Sequence, residues 1–206
     1  MKLRLILSST AALLFLTVFS FGQLDPLRND IPDQFFFTMI PSTGTQACLP
    51  NAFARVAVAT IDGVERMRVD VHGLPPNTDF DFFVIQVPNA PFGLSWYQGD
   101  IETDFQGNGS QTFLGRFNIE TFIIAPGVAP APVVHNSPTP DASTNPATAP
   151  VHTYHLGLWF NSPVDAVRVG CPGATTPFNG DHTAGVQVLN TRNFPNDFGP
   201  LRLVTP

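Results

Sequence analysis

Between Val69 and Val84 the chain reads VDVHGLPPNTDFDFFV, which sets His72 close to Asp70, Asp79 and Asp81. Imidazole and carboxylate are ordinary metal ligands and ordinary proton carriers, so this stretch could hold a cation or move a proton. It could equally be a corner between two strands. The five histidines are His72, His135, His152, His155 and His182. His152 and His155, three apart, would face opposite sides of a strand, so a shared metal there needs a bulge. His155, His182 and Asp181 could instead converge from separate loops on copper or zinc. Asp100, Glu102 and Asp104 alternate and would line one strand face with oxygen ligands suited to calcium. Phe105 stands where a calcium-binding EF-hand loop has glycine, and a solvated strand face before a hairpin is the simpler reading.

Other chemistries are thinner. With only Glu65, Glu102 and Glu120 as glutamates, a glycosidase acid/base pair would draw on Glu102, Glu120 or an aspartate. No GxSxG, HExxH, CxxC or glycine-rich phosphate loop occurs. The one lysine is Lys2, and it sits in a segment with a positive start, the apolar run Ala11 to Phe19, and small residues Ser20 and Gly22. That is the layout of a secretory signal peptide over residues 1–22. A chain cleaved there has no lysine for a Schiff base, a general base or a phosphate-cradling loop. It also keeps 8 basic residues, the original 10 less Lys2 and Arg4, against 16 acidic. Nucleic acid and anionic membrane surfaces are therefore disfavoured as partners, and no membrane insertion is expected after cleavage.

Aromatic rings offer a binding surface instead. Trp96 and Tyr97 are adjacent, so a strand would turn them to opposite faces, where one could be exposed. Trp159 lies between Leu158 and Phe160 and reads as core, although it too could stack on a ligand. These three are the candidate binding residues.

The elements that must place these side chains are short strands. Phenylalanine, valine, 21 prolines and scattered Gly/Asn/Asp clusters point to an all-β chain with tight turns. Strands are predicted over Phe35 to Ile40, Ala52 to Thr60, Glu65 to Val71, Phe80 to Val87, Ser95 to Thr103, Ser110 to Asn118, Thr121 to Ile124, Val151 to Phe160, Gly185 to Leu189 and Leu201 to Val204. Met67, Val69 and Val71 alternate with polar residues, so that strand buries one face. FDFFVIQV is apolar on both faces and should be covered on both sides. Asn108-Gly109 predicts a hairpin, and Asn108-Gly109-Ser110 is also a glycosylation sequon. One helix is predicted, with Ser162 as N-cap, Pro163 at its first position, Asp165 three residues after the cap and Gly170 past its end. It would deliver Cys171 to Cys48 for a structural disulfide, the expected state of two cysteines in an exported chain. Closing so long a loop stabilises by roughly 4 to 5 kcal/mol in the chain-entropy model. Residues 125–150 are rich in proline and alanine and read as a long loop on a single domain, residues 23–206.

Gly73 to Thr78 reads as a corner, because Pro75 and Pro76 lack amide donors while Asn77 and Thr78 favour turns. Leu74-x-Pro76-x-Thr78-x-Phe80 resembles the Leu-x-Pro-x-Thr-x-Tyr corner of fibronectin type III domains, with Phe80 in the tyrosine place. The resemblance implies an antiparallel β-sandwich of the immunoglobulin/fibronectin kind. Gly-Leu-Pro before a strand is also similar to copper/zinc superoxide dismutase-like and chordin-type sandwiches, whose following strand carries a His-x-His pair; here that strand, Asp79 to Val84, has no histidine. WYQGDIETDFQGNGS, the Tyr154 to Phe160 aromatics and TPFNGDH resemble uncharacterised secreted bacterial β-sandwich proteins, a likeness that brings no activity with it. The expectation is a secreted or periplasmic, cell-surface module without catalysis or cofactor, binding an extracellular protein or glycan. The runner-up is a small secreted hydrolase or metal-dependent enzyme using aspartates and histidines.

Overall fold

The computed structural model describes residues 34–124 and 150–206. The signal segment, His135 and all but the last residue of the Pro/Ala-rich stretch lie outside them.

Ten strands follow in order: β1 (Phe35–Pro41), β2 (Phe53–Ile61), β3 (Val64–His72), β4 (Asp79–Ile85), β5 (Ser95–Glu102), β6 (Gly109–Gly115), β7 (Phe122–Ile124), β8 (Pro150–His152), β9 (His155–Phe160) and β10 (Gln187–Asn190). A six-residue helix α1 (Pro163–Arg168) and a 3-10 helix (Pro200–Leu203) complete the described chain. Strands β7 and β8 form a two-stranded ribbon, and the other eight make one sheet ordered β5-β4-β9-β10-β1-β2-β3-β6 with every pair antiparallel.

The expected pair of stacked sheets is thereby corrected to one nearly closed, barrel-like sheet. Two features close it. Strand β1 serves both halves, since Phe35 to Met39 pair with β2 whereas Ile40 and Pro41 pair with β10. The terminal strands β5 and β6 are neighbours in sequence, and the turn between them brings the two edges together through the Asp104 N–H to Asn108 C=O bond of 2.7 Å. Alternating inside and outside residues looks the same in a sandwich wall and a barrel wall, so the strand pattern alone does not separate them.

The barrel interior is filled by alternate residues: Val56 and Val58 on β2, Met67, Val69 and Val71 on β3, Phe80, Phe82 and Val84 on β4, and Leu156, Leu158 and Phe160 on β9. A second, smaller cluster sits outside the wall, where Phe83, Ile85, Trp159 and Ala184 are buried with Phe92 and Phe178 against them. Strand β4 is thus covered on both sides, as its apolar run requires.

Local signals hold where capping or proline decides. Ser162 accepts the Asp165 N–H at 3.2 Å as the N-cap of α1. Past the helix, Gly170 takes φ 79° and the Cys171 N–H reaches Ala166 C=O at 2.9 Å. Cys171 is bonded to Cys48, with the Cα atoms 5.4 Å apart. The corner at Gly73 to Thr78 also forms: the Thr78 hydroxyl donates to Pro76 C=O at 3.0 Å, and the corner is stitched to the β5–β6 turn by Leu74 N–H to Gly107 C=O at 3.1 Å. Phe80 points into the core and is fully buried.

Three expected elements change. Residues 151–160 are two strands, not one, because the Thr153 N–H turns to Thr121 and Tyr154 C=O accepts from Leu201. Leu201 to Val204 is not a strand, since Pro200 and the Arg202 N–H to Gly199 C=O bond wind it into the 3-10 helix. In the hairpin, Gly107 supplies the positive φ of 78°, and Asp104 Oδ1 accepts from Gln106 N–H and Asn108 N–H at 2.8 and 2.9 Å.

Candidate functional site: a wedge at the barrel seam

The seam between β5 and β6 is built by a bulge. The β4–β5 register moves from Phe82 opposite Gly99 to Phe83 opposite Tyr97, leaving Gln98 as the extra residue. An inserted residue sharpens the local twist and re-aims the strand end, and Gly99 with φ 146° permits it. At the turn side of the bulge the edges are close, for a methyl group on Gly99 would lie 3.2 Å from the Phe113 ring. On the other side they part. Among the described residues no backbone hydrogen bond joins β5 to β6 there. Each edge is blunted by a neighbouring glutamine: Gln98 Nε2 donates to Trp96 C=O at 3.3 Å, and Gln111 Oε1 accepts the Thr112 N–H at 2.9 Å. Side chains used in this way protect an open strand edge.

The parting leaves a half-open cavity of about 620 Å³. Val84 and Phe117 form its floor, Trp96 and Gln98 one wall, Leu114 and Arg116 the other, and Glu120, Phe122 and Thr153 its far end. Trp96 is 60% exposed and Leu114 72%, so the opening sets large apolar side chains among the polar Gln98, Arg116, Glu120 and Thr153, a mixture of apolar contact and polar anchors that suits a ligand cleft. Glu65 shapes the floor from below. Its buried carboxylate accepts the Phe117 N–H at 2.9 Å and the Asn118 amide at 2.8 Å, fixing the bend that follows β6.

Tyr97 points to the outer side of β5, as adjacency with Trp96 predicts, and packs on Phe83 with centroids 5.4 Å apart. Trp159 is fully buried in the outer aromatic cluster and offers no surface. Gln98, Leu114, Phe117 and Phe122 carry no sequence signal for a site; they matter only because the seam opens between them.

Compared with known proteins, the chain matches no family model and no curated protein.

The candidate histidine and aspartate ligands stand apart from the wedge. His155 is fully buried, and its Nε2–H faces the Pro195 and Asn196 carbonyls at 3.1 Å each while Nδ1 accepts from the Thr191 hydroxyl at 2.9 Å. Burial holds its pKa below the ordinary imidazole value, so it is a neutral brace for the 191–196 segment. His182 and Asp181 are exposed on a turn, with His182 Nδ1 3.3 Å from Pro177 C=O. His72 stacks on Phe53 at 4.8 Å and meets Asn108 Oδ1 at 3.0 Å. Asp70 takes the Arg68 guanidinium at 3.0 Å and the Ser110 hydroxyl at 2.6 Å. Asp79 and Asp81 lie on the outer face of β4, directly opposite Glu102 and Asp100. The opening stretch therefore sends its candidate ligands to separate places. Asp104 is likewise spent on its turn. Among the described residues no three His, Cys, Asp or Glu side chains are placed to hold a metal ion.

Proposed function

We propose that the chain is a secreted, non-catalytic binding module whose ligand, an extracellular protein or glycan, seats in the seam wedge against Trp96. The carrying observation is that wedge: an exposed tryptophan over an apolar floor, held open by a bulge and by the Glu65-anchored bend. Among the described residues its lining has Glu120 as its one carboxylate and no histidine, which favours binding over acid–base chemistry. Export is supported by the N-terminal charge and apolar pattern and by the Cys48–Cys171 bond, which persists in oxidising compartments. Among the described residues no helix is long and apolar enough to cross a membrane.

The test is a screen of labelled protein on glycan and extended-peptide arrays, repeated with Trp96→Ala. Retention by one class, lost in the variant, supports the proposal. Retention that is indifferent to Trp96 defeats it.

A further inference from the structure

Away from the wedge, one transverse row crosses four strands on the outer face. Asp100 on β5 stands opposite Asp81 on β4, Asp81 opposite Trp159 on β9, and Trp159 opposite Gln187 on β10. Asp81, Trp159 and Gln187 are 3%, 0% and 5% exposed. Each keeps one buried polar atom that meets no hydrogen-bonding group among the described residues: Asp81 Oδ2, Trp159 Nε1 and Gln187 Nε2. Buried polar atoms are ordinarily partnered, and a run of exceptions marks a place with work to do.

The row is roofed by residues 176–185. Phe178 packs on Phe83, Trp159 and Phe92 at 5.5, 5.1 and 5.4 Å. Asn179 knots the segment by accepting Thr183 N–H and Ala184 N–H at 2.7 and 3.1 Å, ties it to Asn161 C=O at 3.2 Å, and sets its amide beside Asp81. The Gly185 N–H to Phe160 C=O bond anchors its end.

We propose that residues 176–185 form a proton-operated strap, closed while Asp81 is protonated against Asp100 and loosened when that proton leaves to solvent. The charges around Asp81 make this so. Asp79 shares its strand, Asp100 and Glu102 face it from β5 with Tyr97, whose hydroxyl donates to Asp100 Oδ1 at 2.6 Å. From α1 the nearest acid is Asp165, which already holds Arg168 at 3.0 Å. The β9 and β10 neighbours, Trp159 and Gln187, are uncharged, and the strap's own Asp181 and His182 are exposed. Among the described residues an ionised Asp81 thus meets like charge and no cation. Lifting the strap admits water and relieves the cost. Burial first and Asp100 second push Asp81 up to about 7, outweighing the Asn179 amide.

Trp96→Phe leaves Trp159 as the sole tryptophan, so its emission reports on the roof while amide hydrogen exchange reports on the strap. From pH 5 to 9 the account expects Trp159 emission to shift to the red. Strap protection factors should fall by up to about tenfold per pH unit as pH rises toward about 7 and level off above it, the limit for one proton, with β2 and β3 amides better protected throughout. Asp81→Asn should hold the strap shut throughout, and Asp100→Asn, an independent variant at an exposed position, should move the midpoint downward in pH, because both the charge of Asp100 and its hydrogen bond favour the protonated Asp81. A strap whose protection does not change with pH, changes equally in Asp81→Asn, or matches that of β2 and β3 in size at every pH would overturn the proposal, as would a midpoint that stays in place or rises in Asp100→Asn.

Discussion

Trp96 stands directly opposite Val84 in the β4–β5 register, yet Val84 is buried in the barrel and Trp96 is 60% exposed. Two residues on the same side of one sheet differ because β6 swings away from β5 beyond the bulge. Trp96→Ala removes a side chain that already faces water, so stability should change by less than about 1 kcal/mol. Ligand affinity should fall tenfold or more, the usual cost of truncating a tryptophan at a binding centre. A denaturant melt and a binding isotherm on the same preparation check both halves.

Glu65 links fold to site. Changing it to alanine strands the Phe117 N–H and the Asn118 amide in a dry interior, at a cost of about 2 to 3 kcal/mol. Because Phe117 floors the wedge, affinity should drop along with the denaturation midpoint. A loss of stability with undiminished affinity would show that the bend does not shape the site.

The disulfide spans 123 positions. Replacing Cys48 and Cys171 by alanine should destabilise by about 4 to 5 kcal/mol in the chain-entropy model. Chemical denaturation of the double variant against the oxidised protein measures this directly, and a change near zero would mean that the two halves are held together by the sheet alone.

Asp81 gives the stability curve a sign. Its pKa is raised in the folded chain to about 7 from 3.8, so the folded state holds a proton that the unfolded state releases. The associated stability is full below pH 3.8, declines as pH rises toward 7, and stays lost above it. Asp81→Asn should flatten that decline and leave the protein more stable than wild type at pH 8, by on the order of 2 kcal/mol. His155 acts oppositely: its lowered pKa means that stability is lost as pH falls below the ordinary imidazole range. Urea midpoints taken from pH 4 to 8 on both proteins separate the two slopes.

What could be read from the chain follows the range of the forces involved. The helix at Pro163–Arg168 is visible because its cap and first proline act within four residues. The two-sided burial of β4 is visible because Phe82, Phe83, Val84 and Ile85 leave no polar face. Closure of the barrel is not, since it rests on β1 changing partners at Ile40 and on the meeting of β5 with β6. The break at Thr153 and Tyr154 depends on Thr121 and Leu201, far away in sequence. For the same reason the wedge is invisible beforehand: Trp96 could be named as a candidate, but Leu114, Phe117 and Glu65 become relevant only once the seam parts.

The central claim is that the wedge beside Trp96 holds the ligand. It is tested most directly by titrating the best-retained array probe into wild type, Trp96→Ala and Tyr97→Phe, the last altering only the outer face of the same strand. The account predicts at least tenfold weaker binding for Trp96→Ala and unchanged binding for Tyr97→Phe. Equal affinity in wild type and Trp96→Ala, or a loss confined to Tyr97→Phe, would contradict it.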